Sequence, residues 1–205
     1  MARAYVQEKD YTKADKWLGK CLKQAEENQK KQCTTIVALI QTYIQDKQYT
    51  KADNWLWKAV EPQRIQSASS RPYTITNEQY IILKTLARVY LDNADYANAF
   101  RWLSLGRGGT KGDIEKQYTM LTYLGWTLLN QERYGEAKDQ LQHAITLTNQ
   151  QPSAHCLLAQ VLEKSKEQQG VDAEWEQCLG YGNQDNPDEY NWIALAHKYF
   201  QTKGQ

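Results

Sequence analysis

Several features are scarce or missing in this sequence, and each absence argues against a class of protein. No apolar run approaches the ~20 residues that a membrane-spanning helix needs, and residues 1–8 contain no apolar segment of a secretory signal. Lys and Arg total 25 against 24 Asp and Glu, a net charge of +1. The sequence therefore lacks the basic excess that binds a phosphate backbone, and we expect neither nucleic acid nor membrane as a partner.

Cysteine is sparse, and its spacing argues against a redox or zinc motif. The four cysteines stand far apart and form no C-x-x-C pair; they are Cys21, Cys33, Cys156 and Cys178. Buried free thiols behave as small apolar residues, and they are typical of reducing compartments. We therefore predict structural thiols and a cytoplasmic location.

Catalytic signatures are also missing. His143, His155 and His197 lack the i, i+4 pairing of a helical zinc site, and His155 is expected to be a hydrogen-bonded core residue. No G-x-S-x-G elbow or dinucleotide fingerprint occurs. The glycine-rich stretch 106–112 does not fit the phosphate-loop pattern, and we interpret it as a helix break followed by Asp113 as a helix N-cap. The sequence predicts no catalytic site, no metal site, no cofactor and no enzymatic activity.

A repeated motif is what the sequence does contain. The pattern Tyr-Thr-Lys-Ala-Asp-x-Trp-Leu occurs at residues 11–18 and again at 49–56. Looser copies occupy residues 96–103 and 134–141. Self-similarity at intervals of a few tens of residues indicates stacked repeats, which present extended surfaces for recognition.

A second signal precedes each copy at a fixed distance. Tyr5, Tyr43 and Tyr90 stand six residues before the motif, with Leu128 in the fourth copy, and a small or aliphatic residue stands three residues earlier. Both halves of the unit have helical spacing, and a short polar link separates them. Each unit is therefore predicted to be a hairpin of two helices, A and B, with Ala52, Ala99 and Ala137 buried between them.

This unit resembles the tetratricopeptide repeat. The matching positions include Leu83, Ala87, Tyr90, Tyr96, Ala99, Leu121, Gly125, Tyr134, Ala137, Leu158, Ala159, Val171, Trp175, Cys178, Trp192, Leu195, Ala196 and Tyr199. The resemblance implies an all-α fold, a right-handed α-solenoid. It implies one array over residues 1–205, with repeats at about 1–30, 31–60, 76–107, 112–149 and 151–181 and a terminal helix at 187–202.

The repeats depart from a regular 34-residue period. The largest departure inserts residues 61–75, where two prolines and four serines predict a loop that is either disordered or in contact with a ligand. We predict eleven helices, at about 1–8, 11–29, 32–46, 49–60, 76–92, 95–106, 112–130, 133–148, 152–164, 168–180 and 188–202.

The resemblance also implies that helix A of each repeat lines a concave groove. Seven candidate contact residues follow from it: Gln41, Lys84, Arg88, Thr122, Trp126, Leu129 and Gln160. Lys84 and Arg88 lie one helical turn apart, and Trp126 takes an equivalent place in the next repeat. This set suits an extended peptide with an acidic group and an apolar side chain. The alternatives are that the cations pair with Glu78 or Asp92 and that Trp126 only packs between repeats.

Tryptophans at equivalent places in three repeats leave two interpretations open. Trp17, Trp55 and Trp102 precede the helix B leucine, and Trp57 lies beside them. They either pack neighbouring B helices together or form an exposed patch for a partner.

The predicted function is therefore non-enzymatic protein–protein interaction through a peptide or partner domain bound in the groove. Two alternatives stay open. Met1 stands at the place of a helix A leucine, which favours a recognition or regulatory arm excised from a larger protein. A self-assembling array that associates through its ends is the other.

Overall fold

The computed structural model describes residues 8, 10–24, 40–67, 74–182 and 187–204. Within these residues the chain forms ten helical segments and no strand, which confirms the all-α helical-repeat fold. The segments are α1 Tyr11–Gln24, α2 at 40–45, α3 Tyr49–Ser67, α4 Asn77–Asp92, α5 Tyr96–Gly109, α6 Ile114–Asn130, α7 Tyr134–Leu147, α8 Pro152–Lys164, α9 Val171–Tyr181 and α10 Pro187–Lys203.

Four of the turns between helix A and helix B share one backbone geometry. In each turn one residue adopts a left-handed conformation with φ near +60°, and these residues are Lys47, Ala94, Glu132 and Lys166. The amide of the following residue donates to the carbonyl five residues before it, as in Gln48 to Tyr43 (2.8 Å) and Arg133 to Leu128 (3.0 Å). This hydrogen bond satisfies a free carbonyl at the end of helix A. The repeat register therefore extends through the fifth unit, although none of the four residues is glycine.

Aspartates begin several helices, among them Asp113, which the sequence predicted as an N-cap. The amides of Lys13, Asn98 and Lys116 donate to the side chains of Asp10, Asp95 and Asp113, respectively. These bonds satisfy amides that have no partner within the helix. Asp46 differs, because its carboxylate accepts a hydrogen bond from the hydroxyl group of Tyr11.

Small residues allow helices A and B to approach closely. Ala52, Ala99 and Ala137 are fully buried, which confirms the predicted register. At Gly125 of α6 an added Cβ would lie 2.5 Å from Leu141 Cγ of α7. The α6–α7 hairpin is therefore packed so tightly at this point that a single methyl group would not fit without movement.

The described chain separates into two compact units, Met1–Leu86 and Ala87–Gln205. In the first unit, Asp15 of α1 joins two aromatic side chains from the next hairpin. Asp15 Oδ1 accepts from the Tyr43 hydroxyl at 2.8 Å and from Trp55 Nε1 at 2.7 Å. Burial and this hydrogen bond raise the pKa of the Tyr43 hydroxyl. Asp15 therefore fastens one hairpin to the next.

The second unit is a continuous stack of helices. Helix α6 packs against α5, α7 and α8, and α10 packs against both α8 and α9. Its core is largely aliphatic and includes the fully buried Leu103, Leu121, Leu141, Leu157 and Ala159. This stacking places the A helices α6, α8 and α10 side by side on one face, which is called the A face below.

The structure corrects two predicted helix ends. Helix α3 continues to Ser67, although we expected a loop from residue 61. Pro62 removes only one backbone donor, and Gln63 and Arg64 favour a helix, so the helix does not stop at the proline. Helix α5 continues to Gly109, three residues beyond the predicted end.

Predictions for residues 1–7, 25–39 and 68–73 lie outside the described residues. They include helix 1–8, the thiols of Cys33 and most of helix 32–46. Leu195 does not pack as the repeat pattern predicted, because its side chain is 43% exposed. No element of the described chain covers that side of α10.

The prediction that Cys156 and Cys178 are free thiols is wrong. These cysteines form a disulfide between α8 and α9, with Cα atoms 4.8 Å apart. Both positions face the interior of one hairpin, where two small side chains meet, and a sequence search for C-x-x-C cannot detect a pair separated by 22 residues. Because these two cysteines are paired, they no longer support the prediction of a reducing compartment.

Candidate functional site

The centre of the candidate site is Trp126 on α6, which is half-buried. The guanidinium carbon of Arg88 lies 5.0 Å from the centroid of the Trp126 ring. Trp192 of α10 meets the same ring edge to face, with centroids 5.5 Å apart and planes at 85°, and Tyr123 approaches at 6.1 Å. We call Tyr123, Trp126 and Trp192 the aromatic cluster.

The sequence left open whether Arg88 forms an ion pair or belongs to the candidate site, and in the structure it does both. Its Nε donates to Asp92 Oδ1 at 2.8 Å, an i, i+4 ion pair on α4. Its guanidinium also stacks on Trp126, where cation–π attraction contributes about 0.5–1 kcal/mol at an exposed site. Arg88 is therefore held in place by two neighbours while it stays partly exposed at the edge of the aromatic cluster.

The remaining candidates differ in exposure. Gln41 is exposed, and Lys84 and Gln160 are half-buried. Gln160 donates through Nε2 to the carbonyl of Cys156 at 3.1 Å. Thr122 and Leu129 are buried, because the faces of α6 that carry them turn toward neighbouring helices. Leu129 is therefore a core residue, whereas Thr122 borders a cavity.

That cavity lies on the A face beside the aromatic cluster and has a volume of about 180 Å³. We call it the Glu189 cavity. Its lining consists of Tyr118, Thr119, Thr122, Tyr123, Gln151, Ser153, Glu189 and Trp192. The Glu189 side chain is buried, and Ser153 Oγ donates to its Oε1 at 3.3 Å. A carboxylate therefore lies in a half-open, partly aromatic cavity.

Tyr118 forms the inner wall of the Glu189 cavity. Its hydroxyl donates to the Gln151 carbonyl at 3.1 Å and accepts from the Ala154 amide at 3.0 Å. Burial raises the pKa of this hydroxyl to about 12. Tyr118 therefore stays neutral at physiological pH and ties α6 to the start of α8.

A second cavity of about 250 Å³ lies between α8, α9 and α10. Glu163 and Trp175 border it, and Trp175 Nε1 donates to Glu163 Oε2 at 3.2 Å. Burial raises the pKa of the Glu163 carboxyl, and the Trp175 hydrogen bond opposes that shift. Exposed Leu195 lies at the rim of this cavity.

Comparison with known protein families agrees with this architecture. The family described as the tetratricopeptide repeat matches residues 1–28 and 118–151. Two segments of the chain therefore match this repeat, and the described helices have the helical-repeat fold of that family. Such repeats are in general scaffolds for protein–protein interaction. No curated protein sequence matches this chain significantly.

Solved structures share the fold of this chain over most of its length. The MamA protein is 14% identical, with a TM-score of 0.56 over 93% of this chain and 91% of that chain. PilF of Pseudomonas aeruginosa is 18% identical, with a TM-score of 0.57 over 99% of this chain and 82% of that chain. A kinesin light chain from Podospora anserina is 18% identical, with a TM-score of 0.54 over 88% and 90%. These identities establish similarity of fold and nothing about the ligand.

The tryptophans of the repeated motif are mainly packing residues. Trp55 and Trp102 are buried within their own units, Trp17 is half-buried, and Trp57 is 36% exposed. Burial of Trp55 and Trp102 favours the packing interpretation over an exposed docking patch. Trp192 is the residue that sequence reasoning missed, since the repeat pattern identified it only as a helix-packing position.

His155 is a satisfied core histidine, as predicted. Its Nδ1 lies 2.6 Å from Glu174 Oε2, and its Nε2 lies 3.1 Å from the Asn149 carbonyl. Burial lowers the pKa of the imidazole, but the two hydrogen bonds and the Glu174 charge outweigh burial, and the pKa is raised. Both ring nitrogens lie against acceptors, which favours the protonated form of the ring relative to a free imidazole.

No group of His, Cys, Asp or Glu in the described part of the chain is arranged to hold a metal ion. No helix in that part combines the length and apolar character that crossing a membrane requires.

Proposed function

We propose that this tetratricopeptide-repeat protein binds an extended peptide segment of a partner protein on the A face of its second unit. The observation that carries the proposal is the aromatic cluster, in which a half-buried Trp126 is flanked by Trp192 and by the Arg88 guanidinium. Partly exposed tryptophan and arginine side chains beside a cavity are the residue types that dominate binding energy at protein interfaces.

The charge and position of Arg88 support an acidic group on the ligand. Its guanidinium is held by Asp92 and Trp126, so little side-chain freedom is lost when a ligand carboxylate approaches. Charge-assisted bonds from arginine to a carboxylate are stronger than neutral ones. Gln160 of α8 adds a polar donor to the proposed contact set.

No reaction is assigned to this chain in the proposal. His155 is engaged through both ring nitrogens by Glu174 and Asn149, which makes it a poor general base. The partner is therefore expected to leave the complex chemically unchanged.

The disulfide affects our prediction of a cytoplasmic location. Disulfides persist in oxidising compartments and are rare in the cytosol. The Cys156–Cys178 disulfide therefore favours an oxidising compartment over the cytoplasmic location that the sequence suggested. Alkylation of protein from intact cells tests this: modification of Cys156 and Cys178 without prior reduction would restore the cytoplasmic proposal.

The test of peptide binding begins with selection of ligands. Twelve-residue peptides selected from a displayed random library on the intact chain are titrated against wild type, Arg88→Ala and Trp126→Ala. Each substitution is expected to weaken binding by about 1–2 kcal/mol, or roughly 5–30-fold, with unchanged helical circular dichroism. The double variant should lose less than the sum, because one peptide segment contacts both residues.

Trp57→Ala is the matched control, because Trp57 is an exposed tryptophan in the other unit. It is expected to leave affinity unchanged. Equal affinity of wild type and the Arg88→Ala, Trp126→Ala double variant would place the site elsewhere and refute the proposal.

Self-association is a second candidate, and two exposed apolar side chains of α10 favour it. Leu195 is 43% exposed, and Tyr190 is 59% exposed on the same helix. Light scattering over a concentration series tests this candidate. A mass equal to one chain at all concentrations would exclude it, whereas a dimer that Leu195→Glu dissociates would support it.

A further inference from the structure

We propose that the cavity between α8, α9 and α10 binds an amphipathic helix that a partner protein supplies. The proposed helix carries an apolar stripe, with acidic residues one turn away from it. We call this cavity the α10 groove. Trp175 and Leu195 lie among its walls, and the side chains of the aromatic cluster do not. The α10 groove is therefore a separate site from the peptide site proposed at Trp126.

Leu195 is exposed, although its equivalents in the two preceding repeats are buried. The repeat places a leucine directly before the small residue of helix A, and Leu124 of α6 and Leu158 of α8 occupy this place. These two leucines are 3% and 2% exposed, and their helices pack against α7 and α9, respectively. Leu195 of α10 is 43% exposed. A helix that covers α10 would remove this side chain from water, which favours binding.

The side chains that α10 contributes to the groove have the spacing of a helix-packing stripe. Leu195, Tyr199 and Thr202 line the groove at positions i, i+4 and i+7 of one helix. A stripe of this spacing lies on one side of its helix and can pack against the apolar face of another helix. The groove has a volume of about 250 Å³, below the roughly 300–1,000 Å³ of small-molecule sites. It therefore suits anchoring side chains of a larger ligand.

Two lysines give the groove a positive rim. Lys164 of α8 and Lys198 of α10 line the groove and are exposed. Within the described residues, neither ammonium group forms an ion pair or a hydrogen bond. Complementary charges across an interface speed association and select the partner. The rim therefore favours a helix that carries Asp or Glu beside its apolar stripe.

The other polar side chains of the groove already have partners within the chain. Trp175 Nε1 donates to Glu163 Oε2 at 3.2 Å, and the Tyr199 hydroxyl donates to an aspartate of α9 at 2.6 Å. The Thr202 hydroxyl and the Gln160 amide each donate to carbonyls of their own helix. Acidic side chains of a partner helix are therefore directed to the two lysines.

The same charges favour a partner protein over a second copy of this chain. In a two-fold dimer a surface meets its own copy. Such a contact across the α10 groove would bring Lys164 and Lys198 close to the same lysines of the second copy, and like charges across an interface weaken it. A covering helix with Asp or Glu buries Leu195 without this repulsion.

The experiment uses the full chain and a displayed library of sixteen-residue helical peptides with one fixed leucine stripe. The positions one turn from each leucine vary among Glu, Lys and Gln. We expect selection on wild type to enrich Glu at these positions. Selection on the double variant Lys164→Glu, Lys198→Glu should enrich Lys instead. The peptide most enriched on wild type is then the probe, and fluorescence anisotropy measures its affinity.

The titrations place the probe in the groove. The double variant Lys164→Glu, Lys198→Glu should weaken the probe by about tenfold or more, because its acidic residues then meet like charges. A second peptide, with Lys in place of each Glu of the probe, should bind the double variant more tightly than it binds wild type. Leu195→Ala should weaken the probe about fivefold through lost apolar contact.

Two matched controls lie in the same unit but outside the groove. Lys111→Glu reverses an exposed lysine, and Ile114→Ala truncates a side chain that is 57% exposed. Both should leave the affinity of the probe unchanged, as should Trp126→Ala. Thermal unfolding checks that each variant is folded. If Leu195→Ala does not fold, the charge reversal of the two lysines carries the test.

Three outcomes would overturn the proposal: equal enrichment of Glu and Lys on wild type, undiminished affinity of the folded double variant, and undiminished affinity of folded Leu195→Ala. A dimer in light scattering that Leu195→Ala dissociates, with no peptide selected, would assign the groove to a second copy and also overturn it. Selected peptides that depend on Arg88 and Trp126 bind the other site, so failure at one site leaves the other proposal standing.

Discussion

The connections between successive hairpins differ between the first unit and the middle of the second. In the first unit, Asp15 of helix B accepts a hydrogen bond from Tyr43 of the next helix A. In the middle of the second unit, Phe100 and Lys138 stand at the place of Asp15. Leu128 and Leu162 stand at the place of Tyr43. Where the tyrosine donor is replaced by leucine, the aspartate acceptor is replaced as well.

The same pair reappears near the end of the second unit. Asp172 of α9 accepts from the Tyr199 hydroxyl at 2.6 Å, at the places that correspond to Asp15 and Tyr43. Between these two connections, Lys138 forms an ion pair with Glu167 instead. The aspartate and the tyrosine therefore occur together, because a tyrosine hydroxyl between hairpins needs an acceptor and leucine does not. An aliphatic core takes over where the pair is missing.

Loss of the disulfide should have the largest effect, and it should act mainly in the second unit. Cys178→Ser opens a covalent loop with a sequence separation of 22 residues, for which the chain-entropy estimate is about 3 kcal/mol. Amide hydrogen exchange is expected to show lost protection mainly in α8 and α9. Treatment of wild type with a reductant should reproduce the loss, and an unchanged unfolding free energy would show that the stack does not depend on the disulfide.

The next effect tests the polar connection of the first unit. Asp15→Ala leaves the Tyr43 hydroxyl and the Trp55 indole N–H without their acceptor, which should cost about 2 kcal/mol in urea unfolding. Asp15→Asn keeps an acceptor oxygen and should recover much of the loss. Asp172→Ala should cost less than Asp15→Ala, because the Asp172 side chain is 50% exposed. Equal losses at both sites would contradict the role of burial.

A smaller effect tests the tight packing within the α6–α7 hairpin of the second unit. Gly125→Ala places a methyl group against Leu141 and should destabilise by about 1–2 kcal/mol. Gly135→Ala is the matched control, because no atom lies within 4 Å of its added Cβ. It should be neutral or stabilising by about 0.5–1 kcal/mol, since alanine favours the helix. The two glycines behaving alike in thermal unfolding would mean that the α6–α7 contact is looser than described.

The smallest effect is a pH dependence confined to the second unit. Because the pKa of His155 is raised in the folded state, its contribution is fully present below the unfolded value of about 6.5. The contribution is lost as pH rises through the folded pKa. Denaturant unfolding between pH 5 and 9 should show this decline, and Glu174→Gln should flatten it. A curve for Glu174→Gln parallel to wild type would assign the pH dependence to another group.

Helix positions were largely predictable, because they depend on local spacing. The burial of Ala52, Ala99 and Ala137 and the capping by Asp95 and Asp113 follow from helical periodicity and from the free amides at helix starts. The end of α3 was not predictable in the same way. A proline weakens a helix without necessarily ending it, and whether the helix continues depends on the balance of neighbouring propensities.

The residues of the candidate site also divide into those that local spacing predicted and those that it did not. The repeat register identified Arg88, Trp126 and Thr122 as residues of interest, because positions within one helix follow from sequence. Trp192 was missed, because it contacts Trp126 across 66 residues of sequence. The cysteines were misjudged for a similar reason, because their pairing depends on the facing of α8 and α9.

The sequence by itself determined the hairpin unit, its register and the all-α class, because these depend on side chains within a few turns of one another. Only the tertiary structure decided which side chains from different hairpins meet: Trp126 with Trp192, Cys156 with Cys178, and Glu189 with Ser153. Such contacts depend on how each hairpin is stacked on the next. That stacking is the sum of many small packing interactions, and no short sequence motif records it.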